Sequence, residues 1–214
     1  GTRVEVEFAM RLGVDFSEPA EFGFLQVRPM VVAASDVSVS DAEMASESVL
    51  LSSRTVLGNG VLDDITHIVY VDPDTFDIRE STRIAEEIDS LNSRLVDEGR
   101  TYLLIGFGRW GTTDPLGGIP VEFGQISGAG VIVESSLPEL SYMLSQGSHF
   151  FHNVTSFKVL YFSIQHGREG DIDWEWLGGL PVERSTAHVK HVRPASALTV
   201  KVDGRSGKGL ILHG

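Results

Sequence analysis

Between residues 65 and 107 the chain spells a strand, a helix and a second strand, and no other stretch restricts the fold as much. Residues 65–71 are a short apolar run stopped by Asp72-Pro73. Over residues 79–98, Ile84, Ile88, Leu91 and Leu95 recur at spacings of four and three, which places them on one face of a helix. Asp77 reads as the cap of that helix, with Glu80 three residues on, and Gly99 as the residue that ends it. Residues 101–107 follow as a continuous apolar strand. Strands joined through a helix of that length are parallel, so part of the sheet is expected to be parallel.

Strand patterns dominate the remainder. Val49-Leu50-Leu51 opens a strand-rich block, and Asn59-Gly60 marks a turn. Short strands are expected at 120–123 and 130–134, a helix at 148–157, a strand at 158–164 and a short helix at 171–177 carrying Trp174 and Trp176. Residues 188–192, 198–202 and 209–213 read as strands, with Asp203-Gly204 and Gly207 turning the last hairpin. At the front of the chain, Val4, Val6 and Phe8 alternate with Arg3, Glu5 and Glu7. A polar stretch leads from there to a second strand at 22–27, and Pro29, lacking an N–H, ends the pairing. Residues 33–48 are rich in Ala, Ser, Asp and Glu, as in a linker or an exposed acidic helix. The division that follows is 1–32, 33–48 and 49–214. The fold class is mixed α/β (α+β), strand-rich with a partly parallel sheet and few helices, preceded by a β-hairpin.

Composition narrows the partners. The 214 residues include no cysteine, which removes disulfides, thiolate nucleophiles and cysteine-bound zinc and points to a reducing cytoplasm. A formal charge of −13 argues against nucleic acid, whose phosphates need clustered Lys and Arg. No apolar run approaches the roughly 20 residues that cross a bilayer, and no basic-then-apolar secretory start is visible.

Val6-Glu7-Phe8-Ala9 and Leu25-Gln26-Val27-Arg28-Pro29 resemble the closing strands of the nucleotide-binding domain in pyruvate phosphate dikinases and phosphoenolpyruvate synthases. The likeness covers about the first thirty residues. It implies that residues 1–32 end an ATP-grasp-like domain whose Gly-rich loop and adenine pocket lie upstream. It also implies that Glu7, Gln26 and Arg28 face ATP, with Glu7 and Gln26 on Mg²⁺ and Arg28 catalytic at the transferring phosphoryl group. Gln26 and Arg28, two apart on a strand, are expected on one face. Gly1 then reads as a cloning remnant and the chain as a piece of a longer protein, binding ATP weakly or not at all by itself.

Gly106-Phe107-Gly108-Arg109-Trp110-Gly111 matches G-x-G-x-x-G after a strand, but Thr112 to Gly118 supplies no helix to open on the glycines, so a dinucleotide site is not expected. Arg109, Thr112 and Thr113 are instead candidates to grip a small anion, with Asp114 beside them. The plainer alternative is a tight loop in which Arg109 pairs with Asp114 and Trp110 packs on the core.

In Gln146-Gly147-Ser148-His149-Phe150-Phe151-His152-Asn153, Ser148 reads as an N-cap and His149 sits in the first helical turn, where the dipole favours neutral imidazole. Gly147-Ser148-His149-Phe150 resembles the Thr-Ser-His-Ala segment of the dikinases, which implies a phosphohistidine at His149 and a swivelling domain. The other readings are a structural histidine bonded to the Arg109 loop, or a metal ligand with His152 and Asp114. His188 and His191, three apart on a strand, face opposite sides and read as surface or packing residues. Lys208 reads as a hairpin charge.

Gly108-Arg109-Trp110-Gly111, Gly118-Ile119-Pro120-Val121 and Gln146-Gly147-Ser148-His149 also resemble a C-terminal region of bacterial proteins described as phosphoenolpyruvate synthase or pyruvate-binding. Two expectations follow. One is the C-terminal part of an ATP-dependent phosphotransferase, a kinase of the pyruvate, water dikinase kind. The other is a non-catalytic domain that senses an anion through Arg109. The upstream nucleotide domain is the expected partner, and the strand edge near Val4 to Phe8 favours a homodimer.

Overall fold

Four runs are apolar or small at nearly every position, because both faces of the sheet they form are covered. The computed structural model describes residues 4–11, 21–29, 37–112, 114, 116–136, 157–165 and 172–214. It divides into two units, 1–34 and 35–214.

The first unit contains the hairpin β1 (Val4–Arg11) and β2 (Glu21–Pro29), paired antiparallel. Val6 pairs with Val27, Phe8 with Phe24 and Met10 with Phe22, so one face is apolar. These side chains are 39–68% exposed, and Phe22 stacks near Phe8 and edge-on to Phe24. The ladder slips between Glu7 and Phe8: Glu7 opposes Gln26 while Phe8 opposes Phe24, which leaves Leu25 as the extra residue of a β-bulge.

The second unit opens with the short helix α1 (Asp41–Met44), inside the stretch read as linker or acidic helix. Ser40 and Glu43 form a reciprocal capping box. Hydrogen bonds from the Ser40 backbone and hydroxyl, helped by Lys201, hold the Glu43 carboxyl down at about 2. Asp41 reaches Arg54 at 2.7 Å and Lys208 at 3.0 Å, so Lys208 ties the last hairpin to this helix.

The strands of the second unit are β3 (Val49–Ser53), β4 (Val56–Leu57), β5 (Gly60–Ile65), β6 (Ile68–Val71), β7 (Tyr102–Phe107), β8 (Arg109–Trp110), β9 (Gly118–Ile119), β10 (Ala129–Ser135), β11 (Leu160–Ile164), β12 (Val182–Ser185), β13 (Val189–Val192), β14 (Leu198–Asp203) and β15 (Lys208–Leu212). A seven-stranded sheet runs β12-β13-β6-β7-β10-β11-β4. Its centre, β6-β7-β10-β11, is parallel, and the flanking strands pair antiparallel. The antiparallel sheet β3-β15-β14-β5 covers one face. Helix α2 (Ser81–Asp97) and the segment after β8 cover the other. The fold is therefore mixed α+β and strand-rich, with a partly parallel sheet and few helices. Alternation assigns the side chains: Val69, Leu104, Ile132 and Tyr161 face α2, whereas Ile68, Leu103, Val131 and Phe162 face the second sheet.

Helix α2 buries Ile84, Ile88, Leu91 and Leu95, the stripe expected from their spacing. It starts two residues later than expected. The Asp77 carboxylate binds the backbone N–H and guanidinium of Arg79 and caps a 3₁₀ turn, Ile78–Glu80, ahead of the helix. Gly99, at φ 65°, closes it while Arg100 N–H bonds back to Leu95 O at 2.7 Å. The strand expected at 120–123 is instead β9, ending before Pro120, followed by a 3₁₀ turn, Phe123–Ile126, where Gln125 Oε1 accepts from Glu122 N–H. Helix α3 (Trp174–Gly178) is capped by Asp173. Among the described residues, no helix is long and apolar enough to cross a membrane.

Candidate functional site

The hairpin brings two of its three predicted ligand-facing residues together. Glu7 and Gln26 are direct cross-strand partners, and both are exposed. Side chains directly opposite in an antiparallel pair lie on one face about 5 Å apart. The bulge is what gives Gln26 that face. In a regular strand Gln26 would share the side of Phe22 and Phe24; the extra residue reverses the phase, so Gln26 joins Glu7 while the phenylalanines stay on the apolar side. The backbone of Arg28 opposes Glu5, two positions along from Gln26. A carboxylate and an amide carbonyl side by side are hard oxygen donors of the kind Mg²⁺ takes beside substrate phosphates. Glu7 and Gln26 thus offer two oxygen donors that could hold such an ion.

The glycine loop does different work. Gly108 and Gly111 sit at φ 70° and 67° and turn β8 alongside β9. Arg109 N–H bonds to Gly117 O at 3.0 Å, and Gly111 N–H to Ile119 O at 2.9 Å. Trp110 is buried, with Nε1–H donating to Val133 O at 3.1 Å. Its ring lies over Gly106, where an added Cβ would come within 2.5 Å of it. Among the described residues, no helix opens on these glycines. The Arg109 guanidinium stands 3.7 Å from Asp114, a loose pair with both side chains more than a third exposed, worth little in water. The Thr112 hydroxyl accepts from Asp114 N–H at 3.1 Å and donates to Asp114 O, so it is spent inside the loop. Thr113, His149 and His152 lie outside the described residues.

At the carboxyl ends of the parallel strands, where open α/β sheets keep ligands, aromatic rings fill the space beside β6 and β7. Phe107 packs on Phe76 at 5.1 Å and on Trp174 at 5.6 Å, and Trp174 reaches Tyr70 at 6.1 Å. On β10, next to Gly106, stands Glu134, a fully buried carboxylate that accepts from the Tyr161 hydroxyl. Sequence patterning alone does not single out Glu134. Its signal was a charge in the apolar run Val131-Ile132-Val133, a strand with no solvent face to receive it. Among the described residues, no three His, Asp or Glu side chains gather as a metal site. A groove of about 590 Å³ between α2 and the edge strand β12 mixes Arg94 and Arg184 with Asp97 and Glu98. Comparison with known protein families, characterised proteins and solved structures returns no match.

Proposed function

We propose that this chain is the C-terminal part of an ATP-dependent phosphotransferase related to phosphoenolpyruvate synthase and pyruvate phosphate dikinase. The observation that supports this reading is the register of the hairpin: Glu7 opposite Gln26, with Arg28 at the next position of the same parity. Glu7 and Gln26 would hold Mg²⁺, which when bound neutralises charge on the phosphate oxygens. Arg28 would bind the phosphoryl group being transferred, through the planar fork of its guanidinium. The apolar face, with Phe8, Phe22 and Phe24 more than half exposed, would bury against the remainder of the nucleotide domain. In the same reading His149 carries the phosphoryl group, and residues 35–214 form the module that presents it.

The test is ATP affinity of the complete gene product with and without magnesium. Glu7→Gln and Gln26→Ala are each expected to weaken magnesium-dependent ATP binding about tenfold, the loss of one ion-assisted contact. Arg11→Ala, at the far end of the same hairpin, serves as the control and should leave affinity unchanged. If both site variants bind as tightly as wild type, the hairpin is not part of a nucleotide site.

A further inference from the structure

Two histidines far apart in sequence meet under the C-terminal end of α2. His67 precedes β6 and His191 lies in β13, opposite Val69. His67 Nδ1 and His191 Nε2 are 3.0 Å apart, and both residues are only 6% exposed. The ring centroids are 5.2 Å apart, so the rings lie nearly end to end, an N–H of one aimed at the lone pair of the other, and do not converge on a common third point. Their remaining nitrogens, His67 Nε2 and His191 Nδ1, are buried with no hydrogen-bond partner among the described residues.

We propose that this pair is a proton-sensitive clasp, holding the β12–β13 edge on the parallel sheet at neutral pH and releasing it in acid. Two neutral imidazoles carry two N–H groups and two lone-pair nitrogens. One of each is used between the rings, and the other two stay dry. One added proton creates a second N–H with no acceptor, and a charge out of water. Two added protons set N–H against N–H across 3.0 Å. Arg193 and Arg100 stand near His67 and oppose its charging, while Glu98 and Glu183 favour it. His191 feels the same two carboxylates and Arg193, and Arg184 is its register partner on β12. The net direction is down for both rings, burial being the largest cause.

With folded values below the ordinary 6.5, the unfolded chain binds more protons, so the clasp is whole above pH 6.5 and weakens as pH falls below it. The unfolding equilibrium constant is expected to rise by up to about tenfold per pH unit for each ring that takes a proton only on unfolding. Two measurements on the full chain test this. In the first, ring-nitrogen NMR should show His67 and His191 still neutral below pH 6.5, charging only as the β12–β13 amides lose protection from hydrogen exchange. In the second, a His67→Leu/His191→Leu variant should lose most of the stability difference between pH 7.5 and 5.5. Rings that titrate near 6.5 in the folded state would overturn the proposal, as would an acid response unchanged in the double variant. Should that variant not fold, the wild-type titration decides alone.

Discussion

Gly118→Ala is expected to destabilise the chain by at least about 3 kcal/mol, seen as a fall in melting temperature of roughly 6–12 °C. Gly118 sits at φ 154°, and a Cβ built there would lie 2.1 Å from Arg109 O and 2.2 Å from Arg109 N. Those are backbone atoms of the strand beside it, with no flexible end to move away. Relief requires β8 and β9 to part. That would break the bond from Arg109 N–H to Gly117 O and loosen Trp110, whose indole is fixed on Val133. Gly108, whose Cβ would meet Gly118 Cα at 2.8 Å, should respond in the same direction with a smaller loss. A Gly118→Ala protein within about 1 kcal/mol of wild type would contradict the close parallel pairing of β8 and β9.

Phe162→Ala is expected to cost about 3–5 kcal/mol in urea unfolding. Phe162 is fully buried at the centre of the core between the two sheets. It presses on the second sheet at Gly209, where an added Cβ would fall 2.7 Å from the ring, and on the side of Val56. The absence of a side chain at Gly209 is what lets the sheets approach there. Removing the ring leaves a cavity that two hydrogen-bonded sheets cannot collapse to fill, so the loss should sit at the upper end of the range. A cost below about 1 kcal/mol would show that the second sheet does not pack as described.

Local chemistry made much of the fold legible. The α2 stripe, the Gly99 stop and the apolar run of β7 each follow from spacing within a few residues, and the parallel pairing of β6 and β7 follows from what separates them. Strand β12, Val-Glu-Arg-Ser, has no such signal, because it is an edge strand exposed along its length. The hairpin was legible as two strands, yet regular alternation along β2 sets Gln26 on the side of Phe24. The bulge at Leu25 decides the face, and nothing in the residue pattern announces it. Asp77 was rightly a cap, but of a 3₁₀ turn, because Arg79 competes for its carboxylate with both backbone and side chain. His191 reads as a surface or packing residue, and its pairing with His67 is hidden because that partner lies 124 residues earlier. Only the order of the strands brings them together.

Phosphoryl transfer from ATP labelled at the γ or β position, measured in the complete gene product, tests the proposed activity most directly. A magnesium-dependent, acid-labile label is expected on the protein, vanishing in His149→Ala and falling at least tenfold in Arg28→Ala. Equal labelling of wild type and both variants would contradict that activity.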